Sequence, residues 1–366
     1  MKKINFYSGP AILPEEVLQQ AKEAITDFAG TGLSILEVSH RSKEFVKVME
    51  DARAMVKEIM ALKDDREVLF LQGGGSSQFY MVPMNLLNEN ETAEYFDTGQ
   101  WAHGAMEEAK NFGYVHVACS SEKTKYDHIP TEYSVSDSSK YLHLTSNNTV
   151  FGTQFHWWPE VKCPTVVDMS SDVFSRQMDF NRFDLIYAGA QKNMGAAGTT
   201  VVVVNKNILG TVNRKIPKML DYRAHIKGES MINTPSAFAV YVSYLTLQWV
   251  KKQGLQAIEE RNVRKANKLY AAIDSSTLFK GTVAHADRSL MNVCFNIPSG
   301  NLPGQDGANI NSTEEKFIAF AAKFGIVGIK GYRTVGGFRA SIYNAMPESG
   351  VDVLIEAMKE FERTQA

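Results

Sequence analysis

Cysteine is scarce in this chain, with Cys119, Cys163 and Cys294 the only three among 366 residues. Their number is odd, no CxxC spacing occurs and no histidine pair stands near them, which argues against a disulfide framework and a zinc site and fits a reducing compartment. An excess of charge is also lacking: 39 Lys and Arg face 41 Asp and Glu, for a formal net charge of −2. With no long basic run, the chain carries no electrostatic footprint for nucleic acid or for an acidic membrane, and small ligands are expected instead. No apolar run approaches the roughly 20 residues that span a bilayer. The opening MKKINFYSGPAILP has polar residues, Gly9 and Pro10 where a signal peptide needs an apolar stretch, so the cytoplasm is the expected location. No internal repeat is found, and low complexity is confined to SGNLPGQDGANINST, 299–313, read as a flexible surface connection.

What remains is an ordinary globular composition, 44% hydrophobic and 22% charged. The length exceeds one usual domain and predicts a large domain with a smaller partner. PEEVLQQAKEAITDFAG reads as a helix with Pro14 in its first turn and a stop at Gly30, and EFVKVMEDARAMVKEIMAL as a second. Then short apolar, β-branched runs alternate with helical stretches: REVLFLQ, TAEYFDTG, YVHVACS, KYLHLTSNN, PTVVDMSS, FDLIYAGA and TTVVVVN. This pattern predicts a mainly parallel seven-stranded sheet covered on both faces. From Asn233 onward two long helical patterns follow, and beyond about residue 265 the sparser strands RSLMNVCFNIP and GGFRASIYNA alternate with helices. The expected division is a large domain, 15–264, and a small C-terminal α/β domain, 265–366, joined by residues 1–14.

In open α/β sheets ligands bind beyond the carboxyl ends of the strands, and the unusual residues of this chain fall there. GGGSSQ follows the first run; its glycines and the helix start behind them suit an anion, as does a plain tight turn. It lacks the GK[ST] of a phosphate-binding loop, and Gln78 stands where a dinucleotide fingerprint needs glycine. Trp101 follows TAEYFDTG, as a platform for a planar ring or as core. Thr149 follows KYLHLTSNN, as a hydroxyl for the edge of that ring or as a turn residue. Asp168 ends the apolar run of VVDMSS, where an unpaired carboxylate is costly. Lys192, in YAGAQKNMGAAG, ends the next one. The two form either a buried ion pair or a pair of reacting groups. Thr234 and Pro235 are a good N-cap and first-turn pair for the following helix, which marks a second anion site or a simple helix start. Arg41, Arg333 and Arg339 lie beside glycines or at segment ends and suit a polyanionic substrate, with a surface role open for Arg41.

An imine-forming lysine and an aspartate facing a pyridinium nitrogen are the two protein groups that pyridoxal phosphate chemistry requires. That reading gives the glycine turn, the indole, the hydroxyl, Asp168 and Lys192 each a task. A nucleotide-binding module explains GGGSSQ but leaves Asp168 and Lys192 idle. A cysteine desulfurase needs a thiol on a mobile loop, and none of the three cysteines has that setting.

The stretches NFYSGPAILPEEVL, EVSHRSKEF, GGGSSQF, DMSSDVFSR, YAGAQKN, INTP and VGGFRASIYNAMP together resemble the phosphoserine aminotransferase family, within the class V, fold-type I pyridoxal phosphate enzymes. The resemblance covers nearly the whole chain and implies the corresponding fold-type I architecture. It implies Lys192 as the Schiff-base lysine, Asp168 at the pyridine nitrogen, Trp101 on the ring and Thr149 at the phenolic oxygen. Gly75, Ser76 and Gln191 would lie near the cofactor phosphate, with Asn233 and Thr234 reaching it across a homodimer. Arg339 would hold the substrate α-carboxylate, while His40, Arg41 and Arg333 would hold its distal phosphate or carboxylate, with Ser8 also in the substrate site. The implied reaction moves the amino group of glutamate to phosphohydroxypyruvate, giving phosphoserine and 2-oxoglutarate for serine biosynthesis, with a phosphorylated hydroxythreonine of vitamin B6 synthesis as a further substrate. In some bacterial members arginine stands in place of Ser76 and histidine in place of Tyr332, so anion contacts are expected to differ here.

Overall fold

A computed structural model describes residues 2–298 and 310–365. Residues 299–309, most of the expected flexible connection, lie outside the described residues, and 310–313 open a helix rather than a loop. The chain begins with β1 (Ile4–Asn5), α1 (Glu15–Thr26) and α2 (Lys43–Ile59). Next come β2 (Arg66–Leu71), α3 (Gly74–Leu86), β3 (Thr92–Asp97), α4 (Gln100–Ala109), β4 (Tyr114–Ser120), β5 (Leu142–Thr145), β6 (Thr165–Asp168), β7 (Leu185–Gly189) and β8 (Thr200–Asn205). These strands form one seven-stranded sheet in the order β2-β8-β7-β6-β5-β3-β4. Its ladders from β7 to β4 are parallel, and β8 runs antiparallel to both β7 and β2.

The reversal at β8 has a simple cause. A parallel crossover needs a dozen or more residues and usually a helix, and the connection 190–199 is too short. The chain therefore turns back at the carboxyl edge of the sheet, and Lys192 lies in that return. The central strands are buried on both faces, which is why Val166–Val167 and Val201–Val204 read as unbroken apolar runs rather than alternating ones.

After α5 (Tyr222–Lys227), α6 (Ala237–Gln253) packs with α2 on one face, where Val48, Met49, Val240 and Leu247 share a core with Val167 and Ile186. On the other face α3 and α4 supply Phe79, Val82, Ala105 and Met106 to a core with Val166 and Tyr187. Helix α7 (Leu255–Ser275) spans two cores: Ile258 belongs to the first, Ala266 and Leu269 to a separate one. That second core gathers β9 (Lys280–Gly281), β10 (Asn292–Asn296), α8 (Ile310–Lys323), β11 (Ile326–Val327), β12 (Phe338–Ser341) and α9 (Glu348–Gln365). Strand β1 pairs in parallel with β11 and Phe6 joins the same core, so the N-terminal segment packs with the C-terminal region.

Two boundaries differ from expectation. Helix α1 ends at Thr26, because Asp27 turns the chain by accepting the Gly32 N–H at 2.8 Å and Ile35 N–H returns to Ala24 O at 2.9 Å. Gly30, at φ 73°, belongs to that turn rather than to the helix end. Helix α6 begins at Ala237 with Ser236 in the capping position, not Thr234, since Gln72 Nε2 holds the Thr234 carbonyl at 2.9 Å and keeps it outside the helix. Among the described residues no helix is long and apolar enough to cross a membrane.

The second core is built around phenylalanines. Phe317, wholly buried, has Phe279, Phe338 and Phe361 at ring-centroid distances of 4.9, 5.0 and 5.2 Å. Phe317→Ala should therefore cost about 3–5 kcal/mol, the range for a buried Phe whose cavity refills poorly. Urea unfolding followed by circular dichroism measures this, and a loss below about 1 kcal/mol would mean that the core collapses onto the gap.

Candidate active site

At the carboxyl edge of the sheet, loops from both cores enclose a cavity of 230 Å³. Asp168 is the last residue of β6, set between Thr145 of β5 and Tyr187 of β7 by register. It is 6% exposed, and one carboxylate oxygen accepts the Ser170 N–H at 2.8 Å. Burial raises its proton affinity, while Lys192 and the Ser170 hydrogen bonds oppose that rise.

Lys192 enters from the 190–199 return, half-buried, with Nζ 5.9 Å from the centre of the Trp101 ring. Burial pushes its pKa below the ordinary lysine value; Arg339 pushes the same way, and Asp168 and Asp172 oppose. Lys192 and Asp168 act on each other through space without a direct hydrogen bond, so the ion-pair alternative does not apply. Among the described residues the amine has no hydrogen-bond or salt-bridge partner and stays open to reaction.

The other groups are placed by close approaches. Trp101 opens α4 and donates Nε1–H to Thr149 Oγ1 at 2.9 Å, which joins platform and hydroxyl into one unit. The loops carrying them touch at Gly99, where a Cβ would lie 1.8 Å from Asn148 Nδ2, itself bonded to Thr98 O at 2.6 Å. Gly75 and Ser76 lie in the first turn of α3, where main-chain N–H groups lack helical partners and the helix end is positive. Ser170 Oγ would stand 3.1 Å from a Cβ at Gly75, so glycine keeps that approach open. Gln191 O takes the Ala11 N–H at 2.8 Å, drawing Ser8 and Gly9 over the cavity, and Tyr343 OH holds Ser8 O at 2.7 Å. Arg339 of β12 reaches in from the C-terminal region, donating Nη1–H to Thr149 O at 2.8 Å and leaving a buried Nε without a partner among the described residues.

The fold thus brings together Ser8, Gly75, Ser76, Trp101, Thr149, Asp168, Gln191, Lys192 and Arg339 around one cavity. It does not bring His40, Arg41, Asn233, Thr234 or Arg333 to the same lining. Arg41, Thr234 and Arg333 are exposed, and His40 and Asn233 are partly so. Sequence reasoning missed Ser170 and Phe79 in the lining, and it noted Tyr332 only as a departure from relatives. It also missed Asp172, which sits behind the cavity, accepts from Gln154 Nε2 at 3.1 Å and Arg176 Nη2 at 3.4 Å, and bonds Ser146. The run DMSSD carried a signal for Ser170 and Asp172; nothing local distinguished Phe79.

This donor set fits pyridoxal phosphate. The unpaired amine suits an aldehyde, the buried carboxylate a ring nitrogen, the indole a flat ring, and the α3 N-terminus a phosphate. The charges around Lys192 also make its titration predictable. Reductive methylation with formaldehyde at graded pH, read by mass spectrometry of the Lys192 peptide, should show a midpoint below that of ordinary lysines. Arg339→Gln removes a group that favours the neutral amine and should move the midpoint up. Asp168→Asn removes one that favours the ammonium and should move it down. Movement of both variants in one direction would refute this electrostatic account.

The profile of the Aminotransferase class-V family matches residues 4–354. A phosphoserine aminotransferase of Flavobacterium psychrophilum is 54% identical over 364 residues, covering 99% of each chain. The solved phosphoserine aminotransferase of Bacillus circulans subsp. alkalophilus superposes with a TM-score of 0.94 at 41% identity, covering 100% of this chain and 99% of that one. A pyridoxal phosphate-bound phosphoserine aminotransferase from Trichomonas vaginalis gives 0.91 at 33% identity, covering 98% and 100%. With a match of that extent, and with Lys192, Asp168 and Trp101 lining one cavity, the chain belongs to the class-V aminotransferases.

Proposed function

We propose that this chain is a pyridoxal phosphate-dependent phosphoserine aminotransferase that moves the amino group of glutamate to phosphohydroxypyruvate, giving phosphoserine and 2-oxoglutarate in serine biosynthesis. The observation that carries the reading is the reactive geometry of Lys192, an amine held in a cavity opposite Asp168 without pairing to it. The full-length likeness to phosphoserine aminotransferases supports the choice of substrate.

When bound, pyridoxal phosphate supplies an electron sink for the substrate Cα. Lys192 would hold it covalently, and its amine, when released, would serve as the base and acid that move the substrate Cα proton. The groups that favour its neutral form, burial and Arg339, suit it to both tasks. Asp168 would hold the ring nitrogen, a close cationic partner that burial makes valuable. Trp101 would provide the flat surface for the ring, and Thr149, oriented by the Trp101 N–H, a hydroxyl for its phenolic oxygen. Gly75, Ser76 and Gln191 would take the phosphate.

Asn233 and Thr234 lie away from the cavity of their own chain. They serve the site of the neighbouring subunit in a two-fold homodimer, where each chain completes the other. Arg339 binds the α-carboxylate, and Arg333, beside the cavity-lining Tyr332, joins Ser8, His40 and Arg41 around the distal phosphate. Residues 15–264 form the large cofactor domain and 265–366 with 1–14 the small one. The cytoplasm is the place of action, in keeping with three free, buried cysteines.

Two experiments test this reading. Lys192→Ala should lose the link to pyridoxal phosphate that borohydride fixes in the wild type, together with nearly all transamination; a variant that keeps either would remove the central assignment. Each charge-assisted hydrogen bond to a phosphate is worth roughly 1.5–3 kcal/mol. Arg41→Ala and Arg333→Ala should therefore each lower kcat/KM for phosphoserine about tenfold or more and barely change the small activity with serine. Arg339→Ala should harm both substrates alike, since both carry an α-carboxylate. Equal losses on phosphoserine and serine in the first two variants would show that they do not read the phosphate.

A further inference from the structure

Lys265 is wholly buried in α7 where the two cores meet, and among the described residues it forms no salt bridge. Glu348, the carboxylate that favours its charged form, is engaged by Arg264 at 2.9 Å and Lys268 at 3.6 Å. Lys265 Nζ instead donates to three main-chain carbonyls, of Ile342 at 2.8 Å, Tyr343 at 2.7 Å and Met346 at 3.1 Å. Burial and Arg261 push its pKa down to about 7, while three acceptors, which only an ammonium can satisfy, favour the charged form. A buried ammonium is costly unless fully coordinated, so this one dictates the shape of the turn that coordinates it.

That turn is tied to the reactive lysine. Inside it, Asn344 donates its main-chain N–H to Asn193 Oδ1 at 3.0 Å and its side-chain amide to Phe174 O at 2.9 Å. Asn262, one turn before Lys265 on α7, donates to Asn344 Oδ1 at 2.8 Å and to Ser175 O at 3.0 Å. Asn193 is the residue after Lys192, and its amide donates to Ser171 O at 2.7 Å, in the loop that leaves Asp168. All of these side chains are buried, Asn193 at 5% exposure being the least so. Hydrogen bonds and the main chain together run from Lys265 through Asn344 to Asn193, the neighbour of Lys192, and on to the loop that follows Asp168.

We propose that Lys265 is a positioning residue for the reaction: by gathering the 342–346 carbonyls it fixes Asn344, which fixes Asn193, and so sets the spacing of Lys192 and Asp168 from within the C-terminal core. This rests on the cofactor reading above, and the experiment separates the two. Lys265→Met keeps the bulk and removes the donors; Asn193→Ala cuts the same chain at its other end. In the holoenzyme, the readouts are the pH midpoint of the visible absorbance band, kcat and KM for phosphoserine, and the cofactor dissociation constant from fluorescence, on variants whose fold is established by circular dichroism.

Both single variants should move the midpoint in the same direction by about half a pH unit or more. They should lower kcat about tenfold, with KM within about twofold, as a misplaced reacting group does. They should also weaken cofactor binding, and the double variant should be no worse than the worse single one. A folded variant with the wild-type midpoint and kcat, or additive losses in the double variant, would overturn the proposal. Should Lys265→Met not fold, Asn193→Ala alone decides, and an unchanged midpoint overturns it. A wild-type protein with no visible band would instead sink the cofactor reading, and this inference with it.

Discussion

Everything at this site depends on keeping an amine and a carboxylate in one low-dielectric cavity without letting them close into an ion pair. At contact, an ammonium and a carboxylate with little water between them attract strongly, and a salt bridge would silence both. Separation is enforced by the main chain. Asp168 cannot advance because it ends a strand flanked on both sides and is held by the Ser170 N–H. Lys192 is carried by a return loop whose own backbone is tied down: Gly195 packs so closely on α6 that a Cβ there would lie 3.0 Å from the Ser243 nitrogen. The groups feel each other, as their opposing influences on titration show, and neither is spent.

The sheet supplies this rigidity, and its irregular strand supplies the lysine. Were β8 parallel, a crossover helix would separate β7 from β8 and the return loop would not exist. The antiparallel β8 instead produces a short loop at the edge where β2, β3, β5 and β6 also end, each ending in a turn that contributes one part of the lining. Arg339 comes from a different core altogether. It lowers the proton affinity of Lys192 and braces Thr149 through its main-chain oxygen, so the C-terminal region belongs to the electrostatics of the site as well as to its shape.

Buried amides form the joint between the two cores. Asn147 donates to Asn292 Oδ1 at 2.8 Å, and Asn292 in turn donates to Ser341 Oγ at 2.9 Å and Tyr343 OH at 3.2 Å. Such a seam is unforgiving, since each unsatisfied amide in a dry interior costs about 1–3 kcal/mol. That penalty favours one docking of the C-terminal region on the sheet, which is what a site assembled from both requires.

Much of this was legible in the residues. Unbroken β-branched runs announce a doubly covered sheet because strands buried on both faces cannot alternate. Asp168 and Lys192 stand out because a charge at the end of an apolar run needs a reason, and local sequence contains that contrast. Phe79 gave no comparable sign: a phenylalanine in an apolar helix acquires meaning only from what lies opposite. The same holds for the start of α6, where a favourable Thr-Pro pair lost to a tertiary hydrogen bond from Gln72. By itself the sequence determined which residues are chemically unusual and where strands and helices run, because both follow from neighbours along the chain. Only the tertiary structure decided that Lys192 and Asp168 share a cavity without pairing, that Arg339 joins them, and that Arg41, Asn233 and Thr234 stay outside. Those outcomes depend on distances between residues far apart in the chain, which folding alone sets.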